Sequence, residues 1–267
     1  MSQKIVLSQR MQAAALLVTG GNRVCDVGCD HAFVPIYLVE QGIAPKALAM
    51  DINEGPLRQA RENIAAFGLE AYIETRISDG LASYHPGEAD SLICAGMGGR
   101  LMQRILAEEK EKTDSFRELI LQPQSEIQKL RAYLRREGHL IVDENMIEED
   151  SKFYPLMKVI KKDKTLTIGN SFGAGMDEQA REHEWKHEWK QQMEDRYGPV
   201  LLAHKNPVLY RYLEREKRIF TEVLNNLRKN GADKEVCGKR YREVKKKSED
   251  CQRVMEELNK REGAGIW

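Results

Sequence analysis

Val24-Cys25-Asp26-Val27-Gly28-Cys29-Asp30-His31 is the stretch that decides the fold of this chain. An apolar strand runs into a tight turn of glycine and acids, and a helix is expected directly after it. A second apolar run, Ala47-Leu48-Ala49-Met50, closes on Asp51, 23 residues beyond Gly28. Two strands joined by a helix in this way form a βαβ unit, with a close-approach glycine and an acid around one small-molecule slot. The acid at the end of the second strand suits a ribose diol. The full G-x-G-x-x-G pyrophosphate cradle is missing, because Cys29, Asp30 and His31 follow Gly28. An acidic turn repels a diphosphate and suits a cationic ligand. S-adenosylmethionine is such a ligand: a nucleoside with a sulfonium and an ammonium and no phosphate.

The rhythm continues outward from this unit. Runs rich in Val, Ile, Leu and Ala at 23–28, 46–51, 71–77, 90–95 and 117–122 read as strands, each closed by Gly, Asp or Pro. Helices are expected between them at about 32–42, 54–67, 99–111 and 125–137. Pro56 falls near the start of the second, where its missing N–H does little harm. The alternation predicts an α/β fold, a doubly wound Rossmann-like sheet with ligands at the carboxyl ends of its strands. Residues 138–142 and 153–160 follow without a long helix and read as a closing antiparallel pair at one sheet edge. Pro155 is tolerable only at an edge or a bulge. Residues 7–17 read as a lead-in helix with Ser8 as its cap.

At 267 residues the chain can hold one α/β domain of ordinary size and an appendage. With 31% charged residues and a mean hydropathy of −0.58, much of it must face water. No apolar run approaches a membrane span, and Met1-Ser2-Gln3-Lys4 carries no signal-peptide core. Five cysteines, at 25, 29, 94, 237 and 251, form neither a C-x-x-C pair nor a zinc spacing. Reduced thiols in a cytoplasmic monomer, with no structural metal and no membrane partner, are therefore expected. Cys25 and Cys94 sit in apolar runs and read as small core residues.

The net charge of zero conceals an asymmetry. Residues 1–160 hold 18 Lys+Arg against 23 Asp+Glu, and residues 161–267 hold 24 against 19, balances of −5 and +5. Any polyanion should contact mainly the C-terminal part, although a solvated helical surface rich in both signs explains the charge equally well. Residues 161–200 break the strand–helix pattern and read as a linker. Within them His183/His187 and Trp185/Trp189 stand at i,i+4, which favours a polar helix with one aromatic ridge over a metal site, since no third ligand is apparent. Further on, Leu209, Leu213, Glu216, Phe220, Val223 and Leu227 alternate at spacings of four and three. After Asn230-Gly231 the series Cys237, Tyr241, Val244, Ser248, Cys251, Met255 and Leu258 does the same. Two heptad helices joined by a glycine turn predict an antiparallel coiled-coil hairpin, its seam made imperfect by Glu216 and Ser248.

Five loops should converge on the carboxyl edge of the sheet. Gly28 allows close approach of the backbone, and the Asp26 carboxylate can hold a ligand's ammonium. Asp30 has two readings of equal weight, the N-cap of a helix beginning at His31 or an acid of the site. Asp51 fits ribose hydroxyls. Asp79, in Ser78-Asp79-Gly80, can accept from an adenine amino group or simply serve a turn. Ala95-Gly96-Met97-Gly98-Gly99 leaves space for a flat acceptor or forms an anion nest, and with no Gly-Lys-Ser/Thr it is not a P-loop. Gln122-Pro123-Gln124 adds amide groups to the rim.

Together these residues resemble the bacterial class I methyltransferases that methylate N1 of adenine 22 in tRNA. The matching pieces are Leu7-Ser8-x-Arg10, Asp26-Val27-Gly28-Cys29-Asp30-His31-Ala32, Asn53-Glu54-Gly55-Pro56, Asp79-Gly80-Leu81, Ala95-Gly96-Met97-Gly98-Gly99 and Leu119-Ile120-Leu121-Gln122-Pro123. They span the first domain, and the coiled coil fits too. Cys29 stands where that family commonly has Ser, Gln124 where it has Asn, and Pro155 at an acidic position. The resemblance implies S-adenosylmethionine as methyl donor and tRNA as acceptor. In-line transfer from a sulfonium needs no metal, and positioning supplies most of the rate. Adenine N1 attacks through its lone pair once the base is unpaired or extruded. Asp30 is the expected catalytic acid, stabilising the methyladenosinium cation as its charge develops.

Around the cofactor the resemblance places Asp26, Gly28, His31, Asp51 and Ile52, then Asp79, Gly80, Gly96 and Met97. Toward the tRNA it sets Arg10, Gly98, Gly99 and Gln122, with Lys245, Lys246 and Lys247 as phosphate contacts. The expected organisation is a methyltransferase domain at 1–162, a linker with a polar helix at 163–198, and a coiled-coil domain at 199–267. Two other classes compete with this reading. A nicotinamide-dependent dehydrogenase would share the sheet but lacks here both the glycine cradle and a hydride-partnering His. A non-enzymatic coiled-coil adaptor would leave five functional-looking strand ends unexplained.

Overall fold

The structure, a computed structural model, describes residues 5–161, 178–229, 235–260 and 266–267. It divides into two compact units, Met1–Asn170 and Ser171–Trp267, and their boundary lies outside the described residues.

The first unit runs α1 (Gln9–Leu16), β1 (Val24–Val27), α2 (Phe33–Glu40), β2 (Ala47–Asp51), α3 (Glu54–Ala66), β3 (Ile73–Ile77) and β4 (Ser91–Met97). It continues with α4 (Gly99–Glu108), α5 (Lys110–Thr113), β5 (Glu118–Pro123), α6 (Ile127–Arg136), β6 (His139–Glu149) and β7 (Lys152–Lys161). Seven strands form one sheet in the order β3-β2-β1-β4-β5-β7-β6, the first five parallel and β7 antiparallel to both neighbours. The expected doubly wound sheet with an antiparallel close is the one observed. Its inner strands are buried on both faces, which is why runs such as Leu92-Ile93-Cys94 and Leu119-Ile120-Leu121 are continuously apolar. Alternate residues feed two cores: Cys25, Val27, Met50 and Leu92 pack with Met102, Leu106 and Leu130 on one side. Val24, Ala49, Ile93 and Ile120 pack with Ala14, Ile36 and Leu57 on the other.

Pro155 shows how a local edge arises inside a sheet. β7 pairs with β5 only at Met157, Lys158 and Val159, whereas its pairing with β6 extends back to Lys152. Beyond Met157 the two last strands project as a hairpin, so Pro155 has no ladder bond to supply on the β5 side. Ser8 occupies the N-cap position of α1, but its side chain makes no cap bond. The first free donor is met across the chain instead, the Gln9 N–H donating to Glu149 Oε1 at 2.7 Å.

The second unit contains α7 (Glu178–Tyr197), α8 (Pro199–Ala203), α9 (Pro207–Lys229) and α10 (Glu235–Leu258). Asn206 starts α9, its Oδ1 accepting from the N–H groups of Val208 at 2.9 Å and Leu209 at 3.1 Å. The two heptad helices pack on each other as expected, burying Leu209, Leu213, Val244, Cys251 and Leu258. The polar helix expected within 163–198 is α7 over its described part, and one face of it packs. Trp189, Met193 and Tyr197, at i, i+4 and i+8, are buried, and Trp189 Nε1 donates to Asp250 at 2.8 Å. α7 is thus a third packing helix, whose apolar stripe was hidden among charges. The side chains of His183 and Cys237 lie outside the described residues.

Glu216, the polar seam residue, has a structural reason. It accepts from the Tyr197 hydroxyl at 2.9 Å, Arg196 Nη2 at 3.1 Å and the Tyr212 hydroxyl at 3.2 Å. Arg196 is itself only 13% exposed, and Glu216 is one of the groups that support its charge. Glu216→Leu, which a purely apolar seam would accept, is expected to destabilise the full chain by about 1.5–3 kcal/mol, the scale of hydrogen bonds to a charged group. Thermal unfolding checks this, and a raised melting temperature would return the seam to a plain coiled coil.

Candidate active site

The parallel part of the sheet reverses its winding between β1 and β4, and a doubly wound sheet binds ligands at that switch point, outside the strand carboxyl ends. Here the turn after β1 meets the end of β4. Gly28 has φ +75°, a conformation that demands glycine, and a Cβ built on it would lie 2.9 Å from the terminal methyl of Met97, a side chain able to move aside. The N–H groups of Gly28 and Cys29 both donate to the Met50 carbonyl, at 2.9 and 3.0 Å, carrying the β1–β2 ladder into the turn. Asp30 and Ala32 also hold positive φ, 51° and 59°, a concentration of strained backbone typical of functional turns.

Asp30 is not a helix cap. α2 begins at Phe33 behind Ala32, so the capping alternative is overturned. The Asp30 side chain is 74% exposed, with Oδ1 3.4 Å from His31 Nε2. The adjoining loop is pinned by Asn63 Nδ2 donating to the His31 carbonyl at 2.9 Å.

Asp26, by contrast, is 4% exposed within β1. Burial, and then the charge of Asp51, push its carboxyl up from 3.8 to about 7. Burial, followed by the charges of Asp26, Asp51 and Asp30, drives the Cys29 thiol far upward as well. Three carboxylates therefore focus negative potential on one turn, which is an arrangement for a cation. Asp51 Oδ1 accepts from the Asn53 N–H at 2.9 Å, fixing the carboxylate at the start of α3. Ile52 beside it is 56% exposed.

Other expected residues take roles that spacing does not reveal. Asp79 Oδ1 accepts from Arg104 Nη2 at 2.9 Å, so α4 holds its carboxylate. Gly80 backs onto Ile105, where a Cβ would stand 2.9 Å from Cγ1. Gly98 and Gly99 open α4, and a Cβ at Gly99 would meet the Ser125 carbonyl at 2.6 Å. Their smallness admits the 125–126 loop. Gln122 is fully buried and does not lie on the rim. Its Oε1 accepts from the Gly96 N–H at 3.0 Å, so it braces the loop from below. Arg10 is held by Glu149 at 3.3 Å and stacks over Tyr154 at 5.0 Å, while neighbouring Met11 reaches to 3.6 Å from a Cβ position at Gly96. Sequence reasoning missed Tyr154, Glu149, Met11 and Arg104, each of which joins the site through contacts distant in sequence.

A cleft of about 750 Å³ lies at the opposite edge, at the amino ends of β1–β3, lined by Arg23, Lys46, Tyr72 and Arg76. Arg23 is paired there with Asp90, and Arg76 with Glu74 and Glu88. It is the wrong edge of a doubly wound sheet for a nucleoside. Among the described residues no group of three His, Cys, Asp or Glu could hold a metal, and no helix is long and apolar enough to cross a membrane.

Comparison with known proteins agrees with this geometry. The methyltransferase-domain family matches residues 7–157. The tRNA (adenine(22)-N(1))-methyltransferase of Bacillus subtilis (strain 168) is 36% identical over 174 residues, 65% of this chain and 73% of that one. The crystal structure of a Streptococcus pneumoniae putative tRNA (m1A22) methyltransferase in complex with S-adenosyl-L-methionine superposes with a TM-score of 0.74 at 29% identity, covering 94% of this chain and 100% of that one. The B. subtilis m1A22 tRNA methyltransferase gives 0.76 at 29% identity, over 94% and 100%. Fold, acidic turn and these likenesses define a class I methyltransferase. Within that class, the chain belongs to the tRNA (adenine(22)-N(1))-methyltransferase family.

The buried acid has a measurable signature. Because the Asp26 pKa in the fold lies above its unfolded value, the neutral carboxyl contributes fully below about pH 4 and that contribution is lost as pH rises through about 7. The loss is on the order of 4 kcal/mol. In ligand-free protein the stability gained by Asp26→Asn over the parent should therefore grow between pH 4 and pH 8. An equal difference at both pH values in thermal melts would show that Asp26 is not desolvated.

Proposed function

We propose that the protein transfers the methyl group of S-adenosylmethionine to N1 of adenine 22 in tRNA. The observation that carries the reading is the Asp26-Val27-Gly28-Cys29-Asp30 turn at the switch point, in a chain of this family. A carboxyl as buried as Asp26, with its pKa raised, is well matched to a cationic ligand that would favour its ionised form. The cofactor supplies an electrophilic methyl on a sulfonium, and the protein residues supply position and charge. Asp26 faces the ammonium, and Gly28 admits the close approach of the ligand to the backbone. Asp51, with Oδ1 already occupied by the Asn53 N–H, presents its other oxygen to the ribose hydroxyls. Asp30, more exposed than Asp26, sits on the acceptor side and stabilises the positive charge that develops on the base.

The helical unit supports tRNA binding. Lys245, Lys246 and Lys247 are exposed on α10, and only Lys245 has an ion-pair partner among the described residues, Glu249 at 3.7 Å. Phosphate contacts of this kind release counterions and weaken steeply with salt. A tRNA substrate also fits the cytoplasmic location expected from the cysteines.

Methylation of a tRNA transcript, followed by nucleoside mass spectrometry and mapping of the modified position, tests the reading as a whole. A purified protein that leaves adenine 22 unmethylated would overturn it. Asp51→Ala should weaken S-adenosylmethionine binding by about 1.5–3 kcal/mol in calorimetry. Unchanged affinity in a folded variant would remove Asp51 from the site. Asp30→Asn keeps a residue at ease with positive φ while losing the charge. Turnover should fall roughly 10²-fold with little change in cofactor affinity, and near-normal turnover would deny Asp30 a catalytic role.

A further inference from the structure

The aromatic ridge on α7 is not used by the chemistry described so far, and only half of it is used by packing. Trp189 is 5% exposed and anchored through its indole N–H to Asp250. Trp185, one turn earlier, is 49% exposed. Between them stands Arg253 of α10, its guanidinium 4.5 Å from the Trp185 ring centre and 4.2 Å from that of Trp189. No carboxylate pairs with Arg253 among the described residues, so its charge is held by two π faces and left unneutralised.

Arg253 also ends a row of cations. Lys239, Lys246 and Arg253 are seven residues apart, and Arg242 falls on the same helical face. Over 14 residues at 1.5 Å each the row spans about 21 Å. Lys239, Arg242 and Lys246 are exposed and have no ion pair among the described residues. The acids on that face are engaged elsewhere: Glu243 with Arg240 at 3.6 Å, Glu249 with Lys245 at 3.7 Å, and Asp250 with Trp189 at 2.8 Å.

We propose that Trp185, backed by Arg253, is a stacking platform for an unpaired tRNA base, with Lys239, Arg242 and Lys246 following the phosphates that lead to it. A cationic track ending on an aromatic face is how proteins hold single-stranded nucleic acid without reading its sequence, and each stacked base contributes substantially. A ridge serving packing alone would bury both tryptophans, and an acidic partner would neutralise Arg253. The proposal rests on tRNA being the substrate. It adds that the helical unit grips an unpaired nucleotide as well as backbone.

The test uses the full chain and a tRNA transcript. Trp185→Ala should weaken tRNA binding about tenfold or more and raise KM for tRNA, with kcat at saturating tRNA and S-adenosylmethionine affinity unchanged. Trp185→Phe, which keeps a ring, should bind within a few fold of the parent. The quenching of tryptophan emission by tRNA should largely disappear in Trp185→Phe, and this readout decides the matter if the alanine variant does not fold. The salt slope of binding should be unaltered in Trp185→Ala but reduced by about 1.5–2 in the double variant Lys239→Gln, Lys246→Gln. Normal tRNA affinity in Trp185→Ala, or undiminished quenching in Trp185→Phe, would overturn the platform while leaving the methyltransferase reading intact. A parent protein that neither binds nor methylates tRNA would overturn both.

Discussion

The desolvated carboxylate of Asp26 is the constraint on which the catalytic unit turns. It lies in register between Ala49 and Ile93, with apolar neighbours on both sides of the strand. Leaving a charge there costs stability in the ligand-free protein. The same cost becomes affinity when a cation arrives, because the ligand's charge replaces the lost hydration. Gly28 is glycine because its φ of +75° is one that L side chains rarely adopt. The turn around it is wound through three positive φ values, and Asp30 stands there without being buried.

The sheet was legible in the sequence because burial on both faces makes each inner strand a short, continuous apolar run, and Asp or Gly punctuates its end. The places of Asp26, Gly28 and Asp51 at strand ends were legible because backbone position alone fixes them. A place was not legible where the role depends on a partner far along the chain. Gln122 looked like a rim amide but is drawn inward by the Gly96 N–H. Gly98 and Gly99 also pack closely on Ser125, a contact that spacing does not show. Arg10 could not be joined to Glu149 and Tyr154 by spacing, since the hairpin that carries them is formed some 140 residues later. Asp30 shows the reverse case. Sequence left capping and catalysis level, and two residues of left-handed backbone separate the alternatives.

α7 marks the limit of pattern reading in another way. Its charges outnumber its apolar residues, so the segment reads as solvated. Yet three apolar residues four apart suffice to dock a helix when the neighbouring helices supply Glu216 and Asp250 to meet the polar atoms that come with it. The hairpin seam then makes sense as a three-helix junction at the Leu209–Glu216 end. Glu216 is imperfect for two helices and well satisfied among three.

Charge ties the two units to one reaction. A turn carrying Asp26 and Asp30 beside Asp51 suits a sulfonium and an ammonium better than a polyphosphate, so the first unit by itself is badly charged for RNA. The helical unit carries the opposite balance, which separates the long-range attraction of tRNA from the short-range selection of the cofactor. Methyl transfer moves one positive charge from sulfur to the adenine ring and leaves the total at the site unchanged. The acids therefore need not gain or lose a proton during the step. On the roles proposed above, what changes is which acid holds the charge: Asp26 and Asp51 toward the donor, Asp30 toward the base. That displacement is what the proposed role of Asp30 exploits, because a carboxylate nearer the acceptor stabilises the charge more at the transition state than before it.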